Sequence, residues 1–89
     1  MTVKSAERAL KVVEMIAHLQ PISAAQLRQK LDIPRSSLHG LMGVLLQSGF
    51  VVADESGNYG VGLKAFEIGA AWLESMSLET VARPVLKSL

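Results

Sequence analysis

The sequence predicts a mainly α fold with a small β-hairpin. Three observations carry this: apolar residues recur at helical spacing in separate stretches, Pro21, Pro34 and Gly49 interrupt them, and two short β-type runs flank one polar turn containing Gly57. The resulting order is helix, helix, turn, helix, hairpin, helix.

In the first helix, residues 5–19 place Ala6, Ala9, Leu10, Val13, Ile16 and Ala17 on one face, with Ser5 as N-cap and Pro21 closing the segment. The second begins at Ser23. Ser23 and Gln26 spell an S-x-x-Q capping box, and Ile22 and Leu27 stand at the N′ and N4 positions of a hydrophobic staple. It runs to about Leu31, with Ala24, Leu27 and Leu31 as its inner stripe. Asp32-Ile33-Pro34 forms the turn, and Pro34 suits the first position of the next helix because its missing N–H would be unpaired there anyway. In this third helix Leu38, Leu41, Met42, Leu45 and Leu46 form the core stripe, which leaves Arg35, Ser36, His39, Gly40, Gly43 and Gln47 outside and Ser37 at the border.

Gly49 ends the third helix as a C′ residue. Phe50-Val51-Val52-Ala53 and Tyr59-Gly60-Val61-Gly62 then flank the five-residue turn Asp54-Glu55-Ser56-Gly57-Asn58. A hairpin beside two helices joined by a tight turn is a wing, so the expected architecture is a winged helix-turn-helix followed by a linker helix. Residues 1–62 make the winged domain. Residues 63–76, with Ala65, Phe66, Ile68, Gly69, Ala70, Trp72 and Leu73, form an amphipathic linker and dimerisation helix. Residues 77–89 begin a junction, with Ser77 as a cap and Pro84 forcing a break.

Composition narrows the function classes. Eighty-nine residues with 49% hydrophobic content suit one small domain, and without cysteine neither disulfides nor a thiolate metal site can hold it. The formal net charge is only +1, but its distribution is uneven. Residues 1–40 carry six basic side chains against three acidic, and residues 41–89 carry three against five, so the first half suits a polyanion better. Charges at Lys4, Glu7, Arg8, Lys11 and Glu14 interrupt any signal-peptide pattern, and no apolar run spans a membrane, so a cytoplasmic location is expected. An enzyme is disfavoured. There is no nucleophilic cysteine, H-E-x-x-H or carboxylate cluster, His18 and His39 lie far apart, and Gly60-Val61-Gly62 belongs to the wing rather than to a phosphate loop. No cofactor or metal is expected.

The ordered elements, with Ser5-Ala6-Glu7-Arg8-Ala9-Leu10, Ile33-Pro34-Arg35-Ser36-Ser37-Leu38-His39, residues 45–51 and Tyr59-Gly60-Val61-Gly62, resemble the DNA-binding domain of the IclR (isocitrate-lyase-regulator) family of bacterial transcription factors. Ala82-Arg83-Pro84-Val85-Leu86 resembles that family's junction with an effector-binding domain. The resemblance implies a sequence-specific domain that binds a partly palindromic double-stranded operator as a homodimer through helix one and the 63–76 helix, with a small-molecule effector acting only through a missing C-terminal domain. In helix-turn-helix proteins the second helix of the motif enters the major groove and the first crosses the backbone. Arg35 is thereby placed on guanine O6 and N7 or on a phosphate, and Ser36, Ser37 and His39 on base edges or phosphate oxygens. Ser23 offers a phosphate seat at a helix start. Arg8 resembles the family's helix-one arginine and contacts the DNA backbone or minor groove, and Asn58, at the wing tip, reaches an adjacent phosphate. The chain departs from the pattern at Gly40, where the family usually has a basic residue, and at Gly43. Two mid-helix glycines cost roughly 2 kcal/mol of helix propensity relative to alanine, and one reading is that they let the helix backbone approach the groove closely. The alternative function is a winged-helix module for protein contact or dimerisation without DNA binding, favoured by the low net charge, Gly40 and the acidic wing residues Asp54 and Glu55.

Overall fold

In a computed structural model of the chain, residues 3–76 are described. They fold as α1 (Val3–Leu19), β1 (Ile22–Ser23), α2 (Ala24–Lys30), α3 (Arg35–Gln47), β2 (Val51–Ala53), β3 (Asn58–Val61) and α4 (Leu63–Glu74). The strands form one antiparallel sheet in the order β1-β3-β2. The wing is thus three-stranded, because Ile22 and Ser23, just before α2, pair with Tyr59 and Asn58. Two residues are too short a run to be read as a strand from alternation. Among the described residues no helix is long and apolar enough to cross a membrane.

The core lies where α1, α2, α3 and the sheet meet: Val12, Ile16, Ile22, Leu27, Leu31, Leu38, Met42, Leu45 and Val51. In α1 the inner face is turned by roughly a quarter of a turn from the expected stripe on a 3.6-residue helix. Val12 and Ile16 are fully buried, whereas Ala6, Leu10 and Ala17 are exposed, Leu10 at 72%. Of the expected stripe, Ile16 is in the core and Ala9 and Val13 are half-buried at its edge, while Ala6, Leu10 and Ala17 are left uncovered. Ser5 lies inside the helix rather than capping it, since α1 already includes Val3.

Local signals hold better around α2. The Ser23 hydroxyl accepts from the Gln26 N–H at 3.1 Å, and Gln26 Oε1 accepts from the Ser23 N–H at 2.9 Å. Both staple residues, Ile22 and Leu27, are core members. Pro34 stands one position earlier than expected, as the N-cap of α3, with extended ψ and no side-chain cap. Leu38, Met42 and Leu45 are buried, Leu41 is half-buried, and Leu46 is exposed at the edge of the expected stripe.

At the end of α3, Gly49 takes φ +84°. The Phe50 N–H donates to the Leu45 carbonyl and the Gly49 N–H to the Leu46 carbonyl, at 3.1 and 3.3 Å, which is the paired closure of a Schellman motif. The Gly49 carbonyl then accepts the Lys64 N–H, and the Gly62 N–H donates to the Phe50 carbonyl. A Cβ on Gly62 would overlap the Gly49 carbonyl, so glycine is required where the wing returns to the helix end. The wing turn closes one residue earlier than expected, over residues 54–57. Asp54 Oδ1 accepts from the Ser56 and Asn58 N–H groups, both at 2.9 Å, and Gly57 takes φ +82°.

α4 leaves the sheet through Gly62 and ends at Glu74, two residues short of the expected 76. It has no buried residue. The expected Ser77 cap, the Pro84 break and the Arg83-Pro84 junction lie outside the described residues.

Candidate nucleic-acid interface

The packing of α3 decides what it presents. With Leu38, Met42 and Leu45 inward, Ser36, Gly40, Gly43 and Gln47 lie on the line opposite the core at 100° per residue, and all four are exposed. Arg35 and His39, one turn apart and also exposed, occupy the edge beside that line. Ser37 is half-buried on the other side, as its border position implied. α3 contains no acidic residue, and its first turn has no side-chain cap, so its leading N–H groups remain available as donors. A Cβ at Gly40 or Gly43 would meet nothing within 4 Å. No internal contact therefore accounts for either glycine.

Two of the remaining candidates come together in an unexpected way. Ser23 and Asn58 are register partners across β1 and β3. Asn58 is therefore the first residue of β3 and not the wing tip, because the Asp54 side chain and Gly57 close the turn before it. The tip belongs to Glu55, Ser56 and Gly57 instead. The Ser23 oxygen is engaged as an acceptor in the capping box, which leaves its O–H free to donate outward.

Arg8 is separated from this group. It is half-buried and lines a second groove with Lys4, Lys11 and Lys30, closed by Asp32 and Ile33. Four cations from α1 and the end of α2 thus face one space with a single carboxylate. Among the described residues the one ion pair is Lys64–Glu67 at 3.4 Å, so Arg8 is not neutralised by a salt bridge there.

Sequence reading missed Lys4, Lys11, Lys30, Arg28 and Tyr59. Arg28 and Tyr59 border the Arg35–His39 edge of α3. Each of these charges is visible in the sequence as a basic residue near a helix end or on a helix face, but no spacing rule connects α1 to Lys30 or β3 to α3.

Comparison with known proteins bears on the fold and the family. A family model described as the IclR helix-turn-helix domain matches residues 5–55. The chain is 34% identical over 89 residues to the Escherichia coli (strain K12) protein named Transcriptional repressor IclR, covering 98% of this chain and 32% of that protein. It is 35% identical to the Salmonella typhimurium Acetate operon repressor, with the same coverage of 98% and 32%. The chain thus spans about a third of the length of these curated relatives. Among solved structures, Pseudomonas aeruginosa HmgR superposes with a TM-score of 0.72 at 34% identity, covering 92% of this chain and 35% of that one. The Agobacterium tumefaciens repressor BlcR shares the fold, with a TM-score of 0.76 at 23% identity, covering 98% of this chain and 35% of that one. With a family match across more than half of its residues and relatives above 30% identity over nearly all of them, the chain belongs to the IclR helix-turn-helix domain family.

Proposed function

We propose that this chain is the sequence-specific DNA-binding part of a bacterial transcriptional regulator, acting without catalysis in the cytoplasm on a partly palindromic double-stranded operator. The observation that carries the reading is the outer surface of α3: a carboxylate-free helix with an open N-terminus that offers Arg35, Ser36, His39 and bare backbone at Gly40. An α-helix of this kind fits the major groove, where such side chains meet base edges and phosphates. Ser37 contributes from the margin. Ser23 and Asn58, paired at the start of α2, supply polar groups for the flanking phosphate, and Arg8 with its lysine neighbours meets the backbone at the other end. The repressor names of the relatives support this assignment.

The partner on the opposite side is a second copy of the chain, with residues 63–76 as the linker and dimerisation helix after the 1–62 winged domain. Leu10, Leu63 and Phe66 are 72%, 67% and 70% exposed. A largely apolar groove lined by Val13, Ala17, Val61, Leu63, Ala65 and Phe66, with Glu14 on its α1 side, joins α1 to α4. An exposed apolar surface of this kind suits a self-complementary twofold contact. Residues 77–89 lead toward the part of the protein in which a small-molecule effector acts.

The test is to select bound fragments from genomic DNA, then titrate a selected duplex with the chain and with the Arg35→Ala, His39→Ala double variant at several salt concentrations. Affinity that falls steeply with salt and is lost in the folded double variant supports the reading. Unchanged binding by that variant sinks it. The rival, a protein-contact module, predicts no duplex binding and an association nearly indifferent to salt.

A further inference from the structure

Arg28 and Tyr59 have no part in the reading above, yet the fold carries both to the edge of α3. Arg28 from α2, Arg35 and His39 from α3, and Tyr59 from β3 line one depression of about 120 Å³, floored by Leu38 and Met42. The floor residues are core members, so three packed elements, not a loop, fix the positions of the rim. No carboxylate lines this depression. Neither arginine is in an ion pair among the described residues. Two arginines lining one small space without a carboxylate give it a positive potential that favours an anion. Tyr59 lines the same depression, and its hydroxyl takes part in no hydrogen bond among the described residues, leaving it available to donate.

We infer that this depression seats one phosphate of the DNA backbone, held by Arg28 and Arg35, with His39 and the Tyr59 hydroxyl completing the rim. The inference rests on the DNA-binding reading. A backbone phosphate is favoured over a base for two reasons. Arg28 belongs to the helix that crosses the backbone in this motif. Its planar fork also matches phosphate oxygens in bidentate fashion. Arg35 shares the seat because it lies on the α2-facing edge of α3, not on the line opposite the core. Base reading then falls to Ser36, with Gly40 and Gly43 letting the helix backbone come close to the groove, and Arg35 holds register.

The test uses the 89-residue chain and short labelled duplexes of unrelated sequence, titrated over a range of salt. Arg28→Ala is expected to lower affinity about tenfold on every duplex and to reduce the slope of log K against log salt by about one. Arg28→Lys should restore the slope, and Tyr59→Phe should lose affinity a few-fold with the slope unchanged, since no charge is removed. Thermal melting of Arg28→Ala should match the parent because the side chain is exposed. If the parent binds duplex DNA with a normal salt slope and Arg28→Ala leaves slope and affinity unaltered, the seat is refuted while the DNA reading stands. A loss confined to one duplex sequence would make Arg28 a base reader and overturn the phosphate assignment. Inorganic phosphate at constant ionic strength should not displace the duplex; displacement from the parent but not from Arg28→Ala would show a free-phosphate site instead. If the parent binds no duplex at any salt, the DNA reading itself fails.

Discussion

Residues 3–62 and α4 both carry apolar side chains at helical or strand spacing, but in opposite structural circumstances. All nine buried core side chains belong to the first region, distributed over α1, β1, α2, α3, β2 and Leu31, the cap of α2. α4 contains Leu63, Phe66, Ile68, Trp72 and Leu73, each about half exposed or more, and none buried. A helix of 12 residues is marginal in water on propensity alone and draws most of its stability from packing of an apolar face. The first region finds that packing within itself. α4 leaves its apolar residues uncovered among the described residues, and Val13 and Ala17 of α1 line the same groove as Leu63 and Phe66.

The sharpest way to break the contrast is in the core. Leu27→Ala should cost about 2–5 kcal/mol in chemical denaturation, whereas Leu73→Ala should change the stability of the dilute monomer by about 0.5 kcal/mol or less. Equal losses would show that α4 is packed after all. Gly62→Ala, at the hinge between the two regions, comes next. Its Cβ would press on the Gly49 backbone, which cannot rotate away, and a loss of about 1–3 kcal/mol is expected on the scale of overpacked sites. Ser23→Ala should remove about 1 kcal/mol by opening the capping box. Gly40→Ala has the opposite sign. With nothing inside the chain to meet, it should raise melting stability by up to about 1 kcal/mol, and it should weaken duplex binding if the bare helix backbone is what approaches the groove. The smallest effect on the fold belongs to Phe66→Lys, whose melting curve should coincide with the parent's. Sedimentation velocity should then shift from dimer to monomer, and a parent already monomeric at high concentration would remove the twofold proposal.

What was legible in the sequence was local. The Ser23–Gln26 box, the Gly49 stop and the outer face of α3 each depend on residues within a few positions of one another, where helix geometry leaves little choice. Less legible was anything set by a distant partner. Periodicity in α1 marks two adjacent apolar faces, and only the docking of β3 and α3 selects Val12 and Ile16 over Leu10 and Ala17. The candidate site divides in the same way. Arg35, Ser36, His39 and Gly40 follow from the inward stripe of α3, while the place of Asn58 depends on Asp54 and Gly57 closing the turn early.

The sequence by itself determined the order of the helices and the hairpin, the start of the second helix, the end of the third and the third helix's exposed surface, because capping, periodicity and glycine at positive φ act over one or two turns of chain. The tertiary structure alone decided that Ile22 and Ser23 become a third strand, that Arg28 and Tyr59 meet Arg35 and His39, and that Arg8 joins Lys30. Those juxtapositions join residues up to tens of positions apart, and their distances follow from how side chains fill a shared core, which no local rule encodes.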